Sequence, residues 1–124
     1  PIKVFNHGDM MRDFTYIDDI VEGMIRVLDK EPGVNTDRQH SVYNIGCSSP
    51  VRLMDFIECL ERTIGKETEK IYLPMQPGDV YQTYADTTRL EKDINYIPRI
   101  SLEYGVSIFI EWFNYHLKYI AKWG

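Results

Sequence analysis

The segment Ile2–Val21, I-K-V-F-N-H-G-D-M-M-R-D-F-T-Y-I-D-D-I-V, constrains the fold more than any other stretch of this chain. Ile2 to Asn6 alternates apolar and polar side chains, the period of a strand with one covered face. His7-Gly8-Asp9 reads as a turn in which Gly8 supplies a positive φ. Met11 to Phe14 reads as the returning strand of a hairpin. Asp18 or Asp19 then starts a helix, because a carboxylate there accepts unpaired N–H groups and meets the positive helix end. Ile20, Val21, Met24, Ile25 and Leu28 follow at helical spacing as its apolar stripe.

The rest of the chain continues this alternation. Lys30 to His40, with Pro32, Gly33, Asn35 and Asp37, reads as an exposed loop, and Ser41 to Gly46 (S-V-Y-N-I-G) as a short strand. Ser48-Ser49-Pro50 turns into a helix near Leu53 whose covered face is Leu53, Phe56, Ile57, Leu60 and Ile64, with Gly65 as its stop. Glu69 to Leu73 reads as a strand and Pro74 to Val80 as a loop around Pro77-Gly78. Asp86 or Thr87 caps a short helix through Asp93. Ser101 caps a last helix whose stripe of Leu102, Val106, Phe109, Trp112, Phe113 and His116 is expected in the core. The order is mixed α/β, α+β-like in its segregation, with too few strands for a large parallel sheet.

Composition narrows the function classes. A chain of 124 residues is one domain's length, and 44% hydrophobic with 27% charged residues is the balance of a globular protein. A net charge of −5 disfavours nucleic acid, which requires a basic face, but permits a nucleotide held by one or two local arginines. No apolar run approaches the roughly 18 residues of a spanning helix, and the start has no signal-peptide pattern, so no membrane role is expected and the location is expected to be cytoplasmic. Cys47 and Cys59 form no C-x-x-C, and His7, His40 and His116 stand at no metal-ligand spacing to them. They are read as reduced packing residues, with no metal.

Two segments carry candidate chemistry. Arg12, on a short strand beside a glycine turn, has the fork of donors that suits phosphate oxygens, and a guanidinium keeps its charge. Met75 to Val80 (M-Q-P-G-D-V) offers the other wall of one pocket, and together the two point to a nucleotide-sugar site. The plainer readings are a surface Arg12 paired with Asp13 and a turn aspartate at Asp79.

The motifs R-D-F-T-Y-I-D-D-I-V, Y-N-I-G-C-S-S-P-V, L-P-M-Q-P-G-D-V-Y-Q-T-Y-A-D-T and the closing Y-I-P-R-I-S-L-E-Y-G-V-S-I-F-I-E-W-F occur in this order over nearly the whole chain. They resemble the C-terminal part of extended short-chain dehydrogenases that act on nucleotide sugars, most closely UDP-glucuronate 4-epimerases. The resemblance implies a small substrate-binding domain beside a Rossmann domain that binds NAD. It implies a reaction in which a tyrosine base and NAD take C4 of the sugar to a keto intermediate and back with inversion. The G-x-x-G-x-x-G fingerprint is absent, as no two of the eight glycines are three apart, and no tyrosine has lysine four residues on. A truncated piece without its cofactor domain is therefore expected. It would be inactive alone, with NAD bound by the missing half and no catalytic residue in this chain. Residues from about 16 to 50 are expected to pack on that half, and a homodimer or swapped oligomer is expected to cover what is left bare.

By the same resemblance, Arg12 contacts the UDP diphosphate or ribose and Asp79 holds ribose hydroxyls. Gln76 stands where some UDP-galactose epimerases carry a phosphate-binding arginine. Phe5 flanks the uracil, and Lys3 reaches the base or a phosphate. The ordinary alternatives are strand packing for Phe5 and solvation for Lys3. Arg89 reads as a solvated helix arginine, Asn44 as a partner of loop backbone, Tyr16 and Asp18 as junction residues, and Tyr81 and Tyr84 as packing residues. Related readings are a UDP-galactose epimerase, a 4,6-dehydratase or a UDP-glucuronate decarboxylase. A different class is a non-catalytic UDP-sugar-binding or assembly module.

Overall fold

The structure is a computed structural model that describes residues 1–30 and 41–120; the loop expected within 31–40 lies outside the described residues. In chain order the elements are β1 (Ile2–Val4), a 3-10 turn (Phe5–Gly8), β2 (Met11–Arg12), α1 (Ile17–Asp29), β3 (Val51–Arg52), α2 (Leu53–Ile64), β4 (Lys70–Tyr72), α3 (Thr88–Ile94) and α4 (Leu102–Ile120). The mixed α/β class follows, with helices dominating. No helix among the described residues is long and apolar enough to cross a membrane.

The expected hairpin does not form. β1 pairs in parallel with β4, Lys3 opposite Ile71, while β2 pairs antiparallel with β3, Arg12 opposite Val51. The cause lies between them. Asn6, His7 and Gly8 take φ of 46°, 51° and 85°, three left-handed residues in a row that swing the chain off the strand direction. The hydrogen bonds of β1 then go to the far segment, Ile2 N–H to Glu69 O at 2.9 Å and Leu73 N–H to Val4 O at 2.8 Å.

Ser41 to Gly46 is also not a strand. Its groups are held by side chains of the α3 region instead. Tyr43 donates to Asp93 Oδ2 at 3.2 Å, Asn44 to Asp86 O at 3.1 Å, and Arg89 to Val42 O at 3.3 Å. Extended backbone becomes a strand only beside a second strand, and none reaches it among the described residues. Arg89, expected as a solvated residue, is thus a bracket that also lies 5.0 Å over the Tyr43 ring. Asn44 takes the backbone-satisfying role expected of it.

The helices follow their periodicities with instructive departures. Neither Asp18 nor Asp19 is the cap of α1; that position falls to Tyr16, which makes no side-chain cap bond. The buried Asp19 carboxylate instead accepts the Tyr96 hydroxyl at 2.9 Å and the N–H groups of Arg99 and Ile100 at 3.1 and 2.8 Å. α1 touches the body through Gly23, where a Cβ would lie 3.1 Å from Ile45 and 3.2 Å from Tyr96. Val21, Met24, Ile25 and Leu28 of the expected stripe face outward. α2 ends at Gly65 with φ of 74°, the left-handed stop its sequence implies. Ser101 Oγ accepts the Tyr104 N–H at 3.2 Å and so caps α4.

The core comprises Val4, Met10, Ile57, Cys59, Leu90, Tyr96 and Val106, with Phe14 stacked on Phe56 at 4.1 Å. The aromatic stripe of α4 is not part of it. Phe109, Trp112 and Phe113 are 45%, 51% and 43% exposed, and no residue from Glu111 to Tyr119 is buried. α4 packs on α2 only through its first half. Beyond that its rings stack on one another, Trp112 lying 4.4 Å from His116.

Candidate functional site

The candidate site lies where β2 meets the loop that leaves β4. β2 is only two residues long, but it is bonded on both sides. β3 takes one edge. On the other, Met11 N–H donates to Tyr81 O at 2.9 Å and Thr83 N–H to Met11 O at 3.2 Å, a parallel bridge centred on Gln82. Arg12 therefore projects from the middle of a three-segment ribbon. Its Nη1 donates to Met11 O at 2.8 Å and to Tyr81 O at 3.1 Å. No carboxylate pairs with it among the described residues. The alternative of an Arg12–Asp13 pair is not what the structure contains, since Asp13 is occupied by backbone N–H groups.

Asp79 closes a tight turn. Its N–H donates to Gln76 O at 3.1 Å across Pro77 and Gly78, and Gly78 has φ of 88°. Proline second and a left-handed glycine third is the signature of a type II turn. The backbone of Asp79 makes the turn, while its carboxylate has no hydrogen-bond partner among the described residues and is exposed. Gln76, the first residue of the same turn, is exposed as well.

Phe5 is not a strand residue. It opens the 3-10 turn after β1 and is half-buried. Lys3 is exposed on β1 opposite Ile71. His7 N–H donates to Leu73 O at 3.0 Å, so the end of β1 and the start of the 74–80 loop leave from the same point. The Arg12 guanidinium is thus bonded to the carbonyl two residues beyond Asp79, and Lys3 and Phe5 flank the root of the loop that carries Gln76 and Asp79. Arg12 and Asp79 make no bond to each other.

Beside this ribbon is a cavity of about 260 Å³ lined by His7, Gly8, Asp9, Met10, Met11, Arg52, Met54 and Tyr81. None of the five candidate residues lines it. Two of its lining residues are bonded, the Tyr81 hydroxyl donating to Asp9 Oδ1 at 3.3 Å. Tyr81 and Tyr84, expected as packing residues, are 51% and 60% exposed. A larger cavity of about 550 Å³ lies away from the candidates, between α2 and the 98–103 segment, with Cys47 and Cys59 in its lining. Both cysteines are free, and burial pushes the Cys47 thiol up against the opposing effect of a Thr15 hydrogen bond.

Residues 2–109 match the family model described as GDP-mannose 4,6 dehydratase. The chain belongs to this family of extended short-chain dehydrogenases. Protein CapI of Staphylococcus aureus is 44% identical over 98% of this chain and 39% of its own length. A UDP-glucuronate 4-epimerase of Thermodesulfobacterium geofontis is 38% identical over 98% of this chain and 36% of its own. The crystal structure of the UDP-glucuronic acid 4-epimerase of Bacillus cereus, in complex with UDP-glucuronic acid and NAD, superposes with a TM-score of 0.76 at 34% identity, over 86% of this chain and 32% of that one. The chain accordingly spans between 32% and 39% of the length of these family members.

No glycine pair in the sequence has the spacing of a dinucleotide's phosphate-binding turn, and among the described residues the glycines at positive φ are Gly8, Gly65 and Gly78, none of which opens a helix.

Proposed function

We propose that this chain is the nucleotide-sugar-binding part of an NAD-dependent 4-epimerase that interconverts UDP-glucuronate and UDP-galacturonate. The observation that carries the reading is the joining of Arg12 to the segment of Asp79 through the Tyr81 carbonyl. A charged fork with donors to spare and an unengaged carboxylate then stand on adjoining segments, the pairing a pyrophosphate-ribose unit requires. Identity to a UDP-glucuronate 4-epimerase along nearly the whole chain supports the choice of sugar.

In this reading Arg12 turns its free donors to the diphosphate and Asp79 accepts the ribose hydroxyls. Gln76 donates through a neutral amide, Phe5 covers the uracil and Lys3 reaches the base or a phosphate. The sugar is left ungripped by these residues and free to turn over. Arg89 supplies no second cation, because it is committed to Asp93, Ser41 and Val42. The chemistry at C4, and NAD with it, belongs to residues outside this chain. The whole of 1–124 acts as one binding unit, and residues from about 16 to 50 face the remainder of the protein. The outward Met24 and Val42, 53% and 72% exposed, support that orientation.

The test is turnover by the full-length protein of UDP-glucuronate, UDP-glucose and dTDP-glucose. Preferential epimerisation of UDP-glucuronate is expected. A preference for UDP-glucose, or dehydration of dTDP-glucose, would move the assignment to another branch. The family model's own description, a 4,6 dehydratase, makes dehydration the second reading. Binding of UDP-sugars without turnover of any would leave the non-catalytic module.

A further inference from the structure

The residue next to Arg12 makes the densest set of polar contacts in the region. Asp13 Oδ2 accepts the N–H groups of Ser48 at 3.1 Å and Ala85 at 3.0 Å, and Oδ1 accepts that of Ser49 at 3.3 Å. Its own N–H donates to Thr83 Oγ1 at 3.0 Å. One side chain thereby joins β2 to the 46–49 loop and to the run that continues from Asp79 through Ala85.

The junction is built tightly. Ser48 sits at φ of 53°, a left-handed conformation unusual for serine, and its Oγ donates to Ala85 O at 2.6 Å while meeting Thr87 Oγ1 at 2.7 Å. Such backbone persists only where its surroundings over-determine it. Gly46 allows the approach, since a Cβ there would fall 2.5 Å from Ala85 Cβ and 3.3 Å from Asp13 Oδ2.

We propose that Asp13 is a positioning residue for the nucleotide, holding the 79–85 run against β2 so that Arg12 and Asp79 are set before UDP arrives. The inference rests on the nucleotide-sugar reading above and adds a group that never touches the ligand. Without the Asp13 carboxylate, the run is held to β2 by the short bridge through Met11, by the Arg12–Tyr81 bond and by the bond from the Asp13 N–H to Thr83 Oγ1. Residues 79–84 are all exposed, so no apolar burial supports that bridge. Hydrogen bonds to an ionised carboxylate are about twice as strong as neutral ones, and Asp13 accepts them from both segments. Asparagine replaces it only in part, because at one of the two oxygen positions its NH₂ faces backbone N–H groups that the carboxylate accepts.

The test is calorimetric titration of UDP, and separately of NAD, into the full-length protein and its Asp13→Asn and Arg12→Ala variants, with amide exchange followed across residues 79–83. Asp13→Asn is expected to weaken UDP about tenfold, the equivalent of one lost hydrogen bond, and to speed exchange in 79–83 while NAD binds as before. Unchanged UDP affinity, unchanged exchange, or a parallel loss of NAD affinity overturns the proposal. If Asp13→Asn does not fold, Thr83→Ala decides it. That change removes a single tie and is expected to weaken UDP about threefold; wild-type affinity would overturn the proposal. The two readings fail differently. A wild-type protein that does not bind UDP ends both, whereas loss of UDP with Arg12→Ala but not with Asp13→Asn ends only this one.

Discussion

Arg12 and Asp13 are neighbours with separate partners: the guanidinium donates to the carbonyls of Met11 and Tyr81, and the carboxylate accepts the N–H groups of Ser48, Ser49 and Ala85. In the full-length protein Arg12→Ala is expected to raise the dissociation constant for UDP by about 1.5–3 kcal/mol, the range for a hydrogen bond to a charged group; an affinity within twofold of wild type would contradict this. Tyr96 gives a pH prediction. Burial first, then its hydrogen bond to Asp19, pushes its hydroxyl up to about 12. A folded value above the unfolded one, about 10, means that its contribution is complete below pH 10 and is lost as pH rises through 12. Unfolding midpoints should therefore fall more steeply over pH 10–12 in wild type than in Tyr96→Phe; parallel curves would contradict the assignment. The turn that Gln76 opens and Asp79 closes was legible, because Pro77-Gly78 carries its own turn chemistry. The Asp13 junction was not, because its partners lie more than thirty residues away and are backbone groups, which leave no mark on sequence.

At the scale of elements, periodicity found the helices, and Gly65 marked the end of α2. The hairpin was misread because alternation says that a strand exists and not what it pairs with; the positive φ at Asn6 and His7, residues with no obligation to adopt it, redirected the chain. The strand at 41–46 was misread for a related reason, since a pattern made for a sheet stays unpaired without one. α3 is anchored by Leu90, which is fully buried, so Leu90→Ala should lower stability by about 2–5 kcal/mol in denaturant unfolding; a loss below 1 kcal/mol would mean that α3 does not carry this part of the core. α2 and β4 are tied by Glu61, whose Oε1 accepts Lys70 Nζ at 2.6 Å and the Thr68 N–H at 2.7 Å. The Lys70 hydrogen bond, with that of Thr68, holds the Glu61 carboxyl below its usual value. A depressed folded value stabilises above the unfolded one, about 4.3, and is lost as pH falls through the folded value. Glu61→Gln should thus flatten the acid side of the stability profile below about pH 5, and an unaltered profile would contradict the tie.

At the scale of the molecule, the outward apolar residues among those described include Val21, Met24, Ile25 and Leu28 on α1, Val42, and the rings of α4 from Phe109 to Tyr119. Each large apolar side chain left in water forgoes about 1.5–3 kcal/mol. The chain expressed by itself is therefore expected to associate, and light scattering that gives a 14.6 kDa monomer at micromolar concentration would contradict that. The α4 stripe was assigned to the core because helical spacing identifies a face that must be covered without identifying the cover. The central claim is that one bound UDP is gripped by both Arg12 and Asp79. Its most direct measurement is a double-mutant cycle by calorimetry on the full-length protein, with UDP titrated into wild type, Arg12→Ala, Asp79→Ala and the pair. The account predicts that each single change weakens binding at least about tenfold and that the double variant loses less than the sum. Wild-type affinity in either single variant would contradict it.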